Sequence, residues 1–163
     1  MNKYLLDSNV FIDAKNRYYG FDIAPVFWDW LLSAHAGEKL YSIRAVHAEL
    51  RDYEDELSMW VGDSVPAGFF LQPDLPFASS LSAISSWAAA SQHFTETAKN
   101  EFLASADLQL VAYAHAHNMV AVSLEKSNPD RKKRIMVPDV CAEFSVTCVS
   151  PFEMLRSLKA KFS

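Results

Sequence analysis

Four carboxylates, Asp7, Glu49, Asp107 and Glu125, occupy places in this chain from which their side chains can meet. Asp7 ends the apolar run Tyr4-Leu5-Leu6, and Glu125 ends the run Met119-Val120-Ala121-Val122-Ser123-Leu124 in the same way. Runs of this kind fit strands buried on both faces of a parallel sheet, and ligands of such sheets bind beyond the strands' carboxyl ends. Glu49 precedes Leu50 on a helix whose Val46, Leu50 and Tyr53 are expected to share one apolar face, which puts the acid at that face's edge. Asp107 falls in the first turn of a helix that Ser105 can cap and that Leu108, Val111, Ala112, Ala114 and His115 continue. Carboxylates gathered at one edge repel and raise one another's pKa, an arrangement that a divalent cation neutralises. Oxygen donors without a His/Cys set suit Mg2+ or Mn2+ better than zinc. Each acid also has a plainer reading. Asp7 could cap the helix from about Asn9, Glu49 could be a solvated helix acid, and Asp107 could serve the helix dipole, worth about 0.3–1 kcal/mol.

The elements that must position these acids follow from the rest of the chain. With 163 residues, half of them hydrophobic, it is long enough for one substantial core and short for two domains. Strands are expected near 4–6, 40–43, 119–124 and 146–149, with a brief extended piece around 69–71. Helices separate them. Pro25 opens one that runs to Gly37 and is rich enough in Phe27, Trp28, Trp30, Leu31 and Leu32 to bury more than one side. Others are expected over about 79–90 and 95–103, in a short piece from Val137 to Phe144 that carries Asp139, and from Pro151 to the end. Such alternation makes a parallel sheet with helices on both faces the economical fold.

A net charge of −5 excludes a uniformly basic surface, but five of the fifteen basic residues crowd into nine positions, Lys126, Arg131, Lys132, Lys133 and Arg134. That loop reads as a phosphate-binding rim or as a solvated lid. Lys15-Asn16-Arg17-Tyr18-Tyr19 gathers two cations and two tyrosines, suited to phosphates and bases or to a solvated helix end. The acidic run Glu54, Asp55, Glu56 is expected to face water. Cys141 and Cys148 lack the spacing of a zinc site and are assigned to packing. With no apolar leader or span, a cytoplasmic protein with reduced thiols and no membrane partner is the expectation.

Leu5-Leu6-Asp7-Ser8-Asn9-Val10-Phe11-Ile12, Ala48-Glu49-Leu50, Ala106-Asp107-Leu108-Gln109-Leu110-Val111-Ala112 and Val120-Ala121-Val122-Ser123-Leu124-Glu125 together resemble the PIN-domain nucleases, over nearly the whole chain. Asn16-Arg17-Tyr18-Tyr19 followed by Phe27-Trp28-Asp29-Trp30 resembles a toxin-like bacterial subfamily. The resemblance implies an α/β, three-layer fold with a parallel central sheet of four or five strands. It implies a single domain over 1–163, with a helical insertion around 60–103. The implied activity is Mg2+- or Mn2+-dependent hydrolysis of RNA, with Asp7, Glu49 and Asp107 as metal ligands, Ser8 or Asn9 orienting Asp7, and Glu125 completing the ring. Many PIN domains carry Asp at that fourth place, and Asp139 is the competing candidate. Lys15, Arg17 and the basic loop would contact RNA, and a cognate antitoxin would be the protein partner, docked near Trp28 and Trp30. A homodimer is left open. Two rivals stand beside this reading. One is a PIN fold that only binds RNA or protein; the other is a haloacid-dehalogenase-type phosphatase, whose motif has Asp where this chain has Asn9.

Overall fold

The computed structural model describes residues 2–162. Five parallel strands form one sheet in the order β3-β2-β1-β4-β5, with β1 (Tyr4–Leu6) at its centre. On one side β1 pairs with β2 (Leu40–Ile43), which pairs with β3 (Phe70–Leu71); on the other it pairs with β4 (Val120–Val122), which pairs with β5 (Cys148–Val149). All residues of β1 and β4 are buried, as their uninterrupted apolar sequences require of strands covered on both faces. The protein is thus the α/β, PIN-like fold expected, with a five-stranded all-parallel sheet.

Register decides what happens at the carboxyl edge. Leu5 pairs with Ala121 and Leu6 with Val122, so the next residues of the two strands, Asp7 and Ser123, emerge side by side. The Asp7 N–H donates to the Val122 carbonyl at 3.0 Å, and the Ser123 N–H donates to Val149 at 3.1 Å. The strand expected over 119–124 therefore contracts to Val120–Val122, and the one over 146–149 to Cys148–Val149. Ser123, although apart from the ladder proper, still hangs from it.

Helix α1 (Ser8–Asp13) leaves directly from β1 and widens into a π-helical turn over Ala14–Tyr18, closed by the Tyr19 N–H on the Ala14 carbonyl at 2.6 Å. Helix α2 (Pro25–Ala36) follows, then β2 and α3 (Arg44–Arg51). Phe27, Trp28 and Leu31 of α2 are buried, with Trp28 only 1% exposed. The expected partner-binding role of Trp28 fails for that reason: its ring stacks on Phe21 and its indole N–H donates to the Tyr19 carbonyl. The exposed apolar side chains of this region are Ile23 and Val26. Tyr53 also departs from expectation. Helix α3 stops at Arg51, so Tyr53 lies past the face it was meant to extend and is exposed.

Asp55 does not simply face water. It caps α4 (Glu56–Asp63) by accepting from the Ser58 N–H at 2.9 Å, and it pairs with Lys15 at 2.8 Å. A 3-10 turn (Ala67–Phe69) leads into β3, and α5 (Leu75–Ala90) starts earlier than the apolar pattern suggests because Asp74 caps it through the Phe77 N–H. After α6 (Glu96–Leu103), helix α7 (Ala106–His117) packs against β1, β2 and β4, with α5 alongside it. Asn118 at φ 54° closes α7 in the left-handed conformation that Asn tolerates. Helices α8 (Val137–Glu143) and α9 (Pro151–Ser157) flank β5, and a reciprocal Ser150/Glu153 capping box starts α9.

Candidate active site

Asp7, Asp107 and Glu125 each offer a carboxylate oxygen within 4.8 Å of the others'. Three routes bring them there. Asp7 arrives at the end of the central strand, Glu125 comes two residues after Ser123 at the end of the neighbouring strand, and Asp107 sits in the first turn of α7, which Ser105 caps. Together with Ser8, Asn9, Glu49, Ser105, Arg134 and Met136 they line a cleft of about 440 Å³. Glu49 is on the wall of this cleft but outside the tight triad. Asp139 lies elsewhere. Its carboxylate accepts from the Ser127 hydroxyl at 2.6 Å and the Asn128 N–H at 3.1 Å, and it lines a separate cavity with Trp87 and Phe94.

Asp7 is 1% exposed and held at both oxygens. Oδ1 accepts from the Ser8 N–H at 2.7 Å and Oδ2 from the Ser123 hydroxyl at 3.1 Å. Asn9 fixes that hydroxyl. Its Oδ1 accepts from the Leu124 N–H at 3.2 Å, which turns Nδ2 towards Ser123 Oγ at 3.1 Å. Ser123 Oγ also accepts from the Glu125 N–H at 3.2 Å, so with two donors pointing at it the hydroxyl proton is left for Asp7. Asn9 thus acts on Asp7 through a serine that sequence reasoning passed over. The clue was available: Ser123 is the one polar residue in an otherwise apolar run, aligned with Asp7 once the two strands are set in parallel.

Glu125 is fixed from the other side, with Oε2 accepting from the Val137 N–H at 2.8 Å and Oε1 lying 3.8 Å from Arg134 Nη2. Burial, then the charges of Asp107 and Glu125, push the Asp7 carboxyl up from 3.8 to about 8, against the opposing pull of the Ser123 and Ser8 hydrogen bonds. Burial, Glu125 and Glu49 push Asp107 up to about 6, and Arg134 opposes them. Both shifts describe acids crowded in a poorly solvated place. Oxygen donors of this number and spacing fit a hard divalent cation such as Mg2+ or Mn2+. An ionised Asp7 whose Oδ2 accepts only from Ser123 still has a lone pair to offer.

The basic residues separate into two groups. Lys15 is committed to Asp55, away from the cleft. Arg17 is largely exposed, 3.8 Å from Asp13, and lines a different cavity together with Lys126. In the basic loop the Lys132 carbonyl accepts from Thr95 N–H and the Arg131 carbonyl lies 2.8 Å from His93 Nε2, so the backbone is anchored while Lys132 and Lys133 are exposed. Arg134 is the basic residue lining the acidic cleft.

A comparison with curated proteins finds no match. Among solved structures, the chain is similar to FitAcB from Neisseria gonorrhoeae, at 20% identity over 91% of this chain and 98% of that one, with a TM-score of 0.57. It is also similar to FitAB bound to an IR36 DNA fragment, at 22% identity over 91% of this chain and 95% of that one, with a TM-score of 0.55. These likenesses bear on the fold. A family model matches residues 4–162, and the chain with its PIN-like sheet and clustered acids belongs to the family described as a domain of unknown function, DUF4411.

Proposed function

We propose that this protein is a Mg2+- or Mn2+-dependent ribonuclease that hydrolyses RNA phosphodiester bonds, acting as the toxin of a bacterial toxin–antitoxin pair. The observation that carries the reading is the triad of Asp7, Asp107 and Glu125, gathered within 4.8 Å at the carboxyl edge of the central strands. Asp7, Asp107 and Glu125 would hold the ion, with Glu49 reaching it through water. When bound, such an ion polarises a phosphodiester, lowers the pKa of water and neutralises charge on the leaving oxygen.

The chain's own residues set the conditions for that chemistry. Ser8 and Ser123 fix both oxygens of Asp7, Asn9 fixes Ser123, and the start of α8 fixes Glu125, so the donor set is organised in advance. Arg134 lies at the cleft's rim, where it can take a phosphate oxygen, and Lys126, Arg131, Lys132 and Lys133 extend the positive rim beyond it. The whole of 1–163 works as one nuclease domain, with the helices around 60–103 as an insertion. The toxin's place of action is the cytoplasm; among the described residues no helix is long and apolar enough to cross a membrane. An antitoxin would dock over the exposed Ile23 and Val26 rather than the buried Trp28.

The rival readings have less behind them. A phosphatase of the haloacid-dehalogenase type needs a second acid at position 9, and Asn9 is spent on Ser123 and Leu124. A module that only binds would have no use for three buried or half-buried acids in mutual repulsion. Incubating the purified chain with mixed-sequence RNA, and separately with p-nitrophenyl phosphate, under EDTA, Mg2+ and Mn2+ tests all three. RNA cleavage with Mg2+ or Mn2+ alone is expected. Intact RNA under every condition, or phosphate release from the ester, contradicts the proposal.

A further inference from the structure

A second cavity, of about 540 Å³, adjoins the acidic cleft beyond the ends of β4 and β5, and Glu125 lines both. Arg17, Tyr18 and Lys126 form the basic and aromatic part of its wall. Tyr18 is 48% exposed, and a T-shaped contact with Phe152, at 5.3 Å between ring centres, holds its ring in place. The nearest acid to Arg17 is Asp13 at 3.8 Å, longer than the roughly 2.7–2.9 Å of a charge-assisted hydrogen bond, which leaves the guanidinium with donors to spare.

Arg17 and Tyr18 of this wall lie in the π-turn that ends the first helix. In an unbroken α-helix Arg17 would lie above Asp13, and Tyr18, five residues on, would point roughly 140° away around the axis. The π-turn over Ala14–Tyr18, in which the Tyr19 N–H donates to the Ala14 carbonyl five residues back, turns less per residue than an α-helix, and Asp13, Arg17 and Tyr18 all line this cavity. Wide turns of this kind are uncommon and recur at functional sites. Here the turn carries an aromatic residue and a cation that line one cavity, and Glu125 belongs to the lining of both that cavity and the acidic cleft.

We infer that this cavity seats one unpaired base of the RNA strand next to the scissile phosphate, with the Tyr18 ring as its stacking platform and Arg17 and Lys126 on the flanking phosphates. The inference rests on the ribonuclease reading and narrows the substrate to single-stranded RNA, because a base within a duplex cannot present its face to a tyrosine. Asp13 and Glu153, also on the wall, are acceptors for the N–H groups that an unpaired base exposes.

The test uses the full chain and a fluorescent ten-nucleotide mixed-sequence RNA, single-stranded or annealed, in EDTA so that binding is read without cleavage. Tyr18→Ala is expected to weaken single-strand binding by about 5- to 150-fold, the range for loss of one base stack, with Tyr18→Phe within twofold of wild type. Arg17→Ala, a change at an exposed side chain that tests the site should Tyr18→Ala lose its fold, is expected to weaken binding and to lower the salt dependence. Photocrosslinking of 4-thiouridine RNA to wild type should label the peptide containing Tyr18. Unchanged binding in both alanine variants, a crosslink elsewhere, or equal affinity for the duplex overturns the inference. The two proposals fail separately: a wild type that cleaves RNA while Tyr18→Ala and Arg17→Ala bind normally removes the subsite alone. A wild type that binds through Tyr18 but never cleaves with Mg2+ or Mn2+ removes the nuclease alone.

Discussion

The Ser123 hydroxyl donates to Asp7 Oδ2 at 3.1 Å, joining two residues 116 positions apart that adjacent parallel strands deliver to the same edge. Ser123→Ala would keep the strand and remove this bond, together with those that Asn9 Nδ2 and the Glu125 N–H donate to the same hydroxyl oxygen. Partners of metal-binding carboxylates typically contribute 10- to 100-fold to metal affinity or activity. The variant should therefore need about 10- to 100-fold more Mn2+ for half-maximal RNA cleavage, with much of the rate restored at saturation. A metal titration that overlays wild type would show that Asp7 is positioned without Ser123.

Stability of the metal-free protein should fall as pH rises. Asp7 and Asp107 have folded pKa values of about 8 and about 6, raised from 3.8, so the folded state binds their protons more tightly than the unfolded chain does. Their stabilising effect is complete below pH 3.8 and is lost as pH climbs through 6 and then 8. His47, held below its ordinary value by burial and Arg51, works in the opposite direction as pH falls through 6.5, so the informative quantity is a difference. In EDTA, the melting temperature of Asp7→Asn should gain on wild type between pH 5 and pH 8.5. A gap that stays constant, or shrinks, contradicts the raised pKa of Asp7.

Glu49 and Glu125 should behave differently although both line the cleft. Glu125 belongs to the tight triad and Glu49 does not. Glu125→Gln keeps an acceptor for the Val137 N–H but removes a charged ligand, and it should abolish the rise in melting temperature that Mn2+ causes. Glu49→Gln should retain part of that rise. Equal loss in both variants would place Glu49 among the direct ligands.

Replacing Lys132, Lys133 and Arg134 together by Ala should flatten the dependence of RNA affinity on salt by about 0.7 in logarithmic slope for each phosphate that the loop no longer neutralises. Lys15→Ala should leave that slope alone, because Lys15 is spent on Asp55, and should cost at most about 1 kcal/mol of stability as a partly exposed pair. An unchanged slope in the triple variant would remove the loop from the RNA path.

The parallel sheet was legible because both-face burial leaves a plain mark: β1 and β4 are uninterrupted apolar runs, the first followed directly by Asp7 and the second, after Ser123 and Leu124, by Glu125. The gathering of Asp7, Asp107 and Glu125 could be anticipated from that shared edge. The closeness of each acid could not. Glu49 lies within α3 and Asp139 in the first turn of α8, so where each carboxylate ends up depends on how those helices pack, and side chains such as Ser127 that capture Asp139 act through hydrogen bonds that no spacing announces. Trp28 and Tyr53 misled for a similar reason. A dense aromatic helix does not say which ring turns inward, and a helix that ends at Arg51 strands the residue that would have continued its stripe. The π-turn was hidden as well, since its hydrogen bond involves backbone alone.

The decisive measurement compares wild type with Asp7→Asn for melting in EDTA and in Mn2+, alongside cleavage of mixed-sequence RNA. Asn keeps the shape of Asp and caps a helix about as well. If Asp7 holds the ion, the metal-free variant is as stable as wild type or more so, Mn2+ no longer raises its melting temperature, and cleavage falls by orders of magnitude. A variant that cleaves RNA at the wild-type rate, with the same Mn2+-induced rise, would contradict the assignment of this site as a metal-dependent nuclease centre.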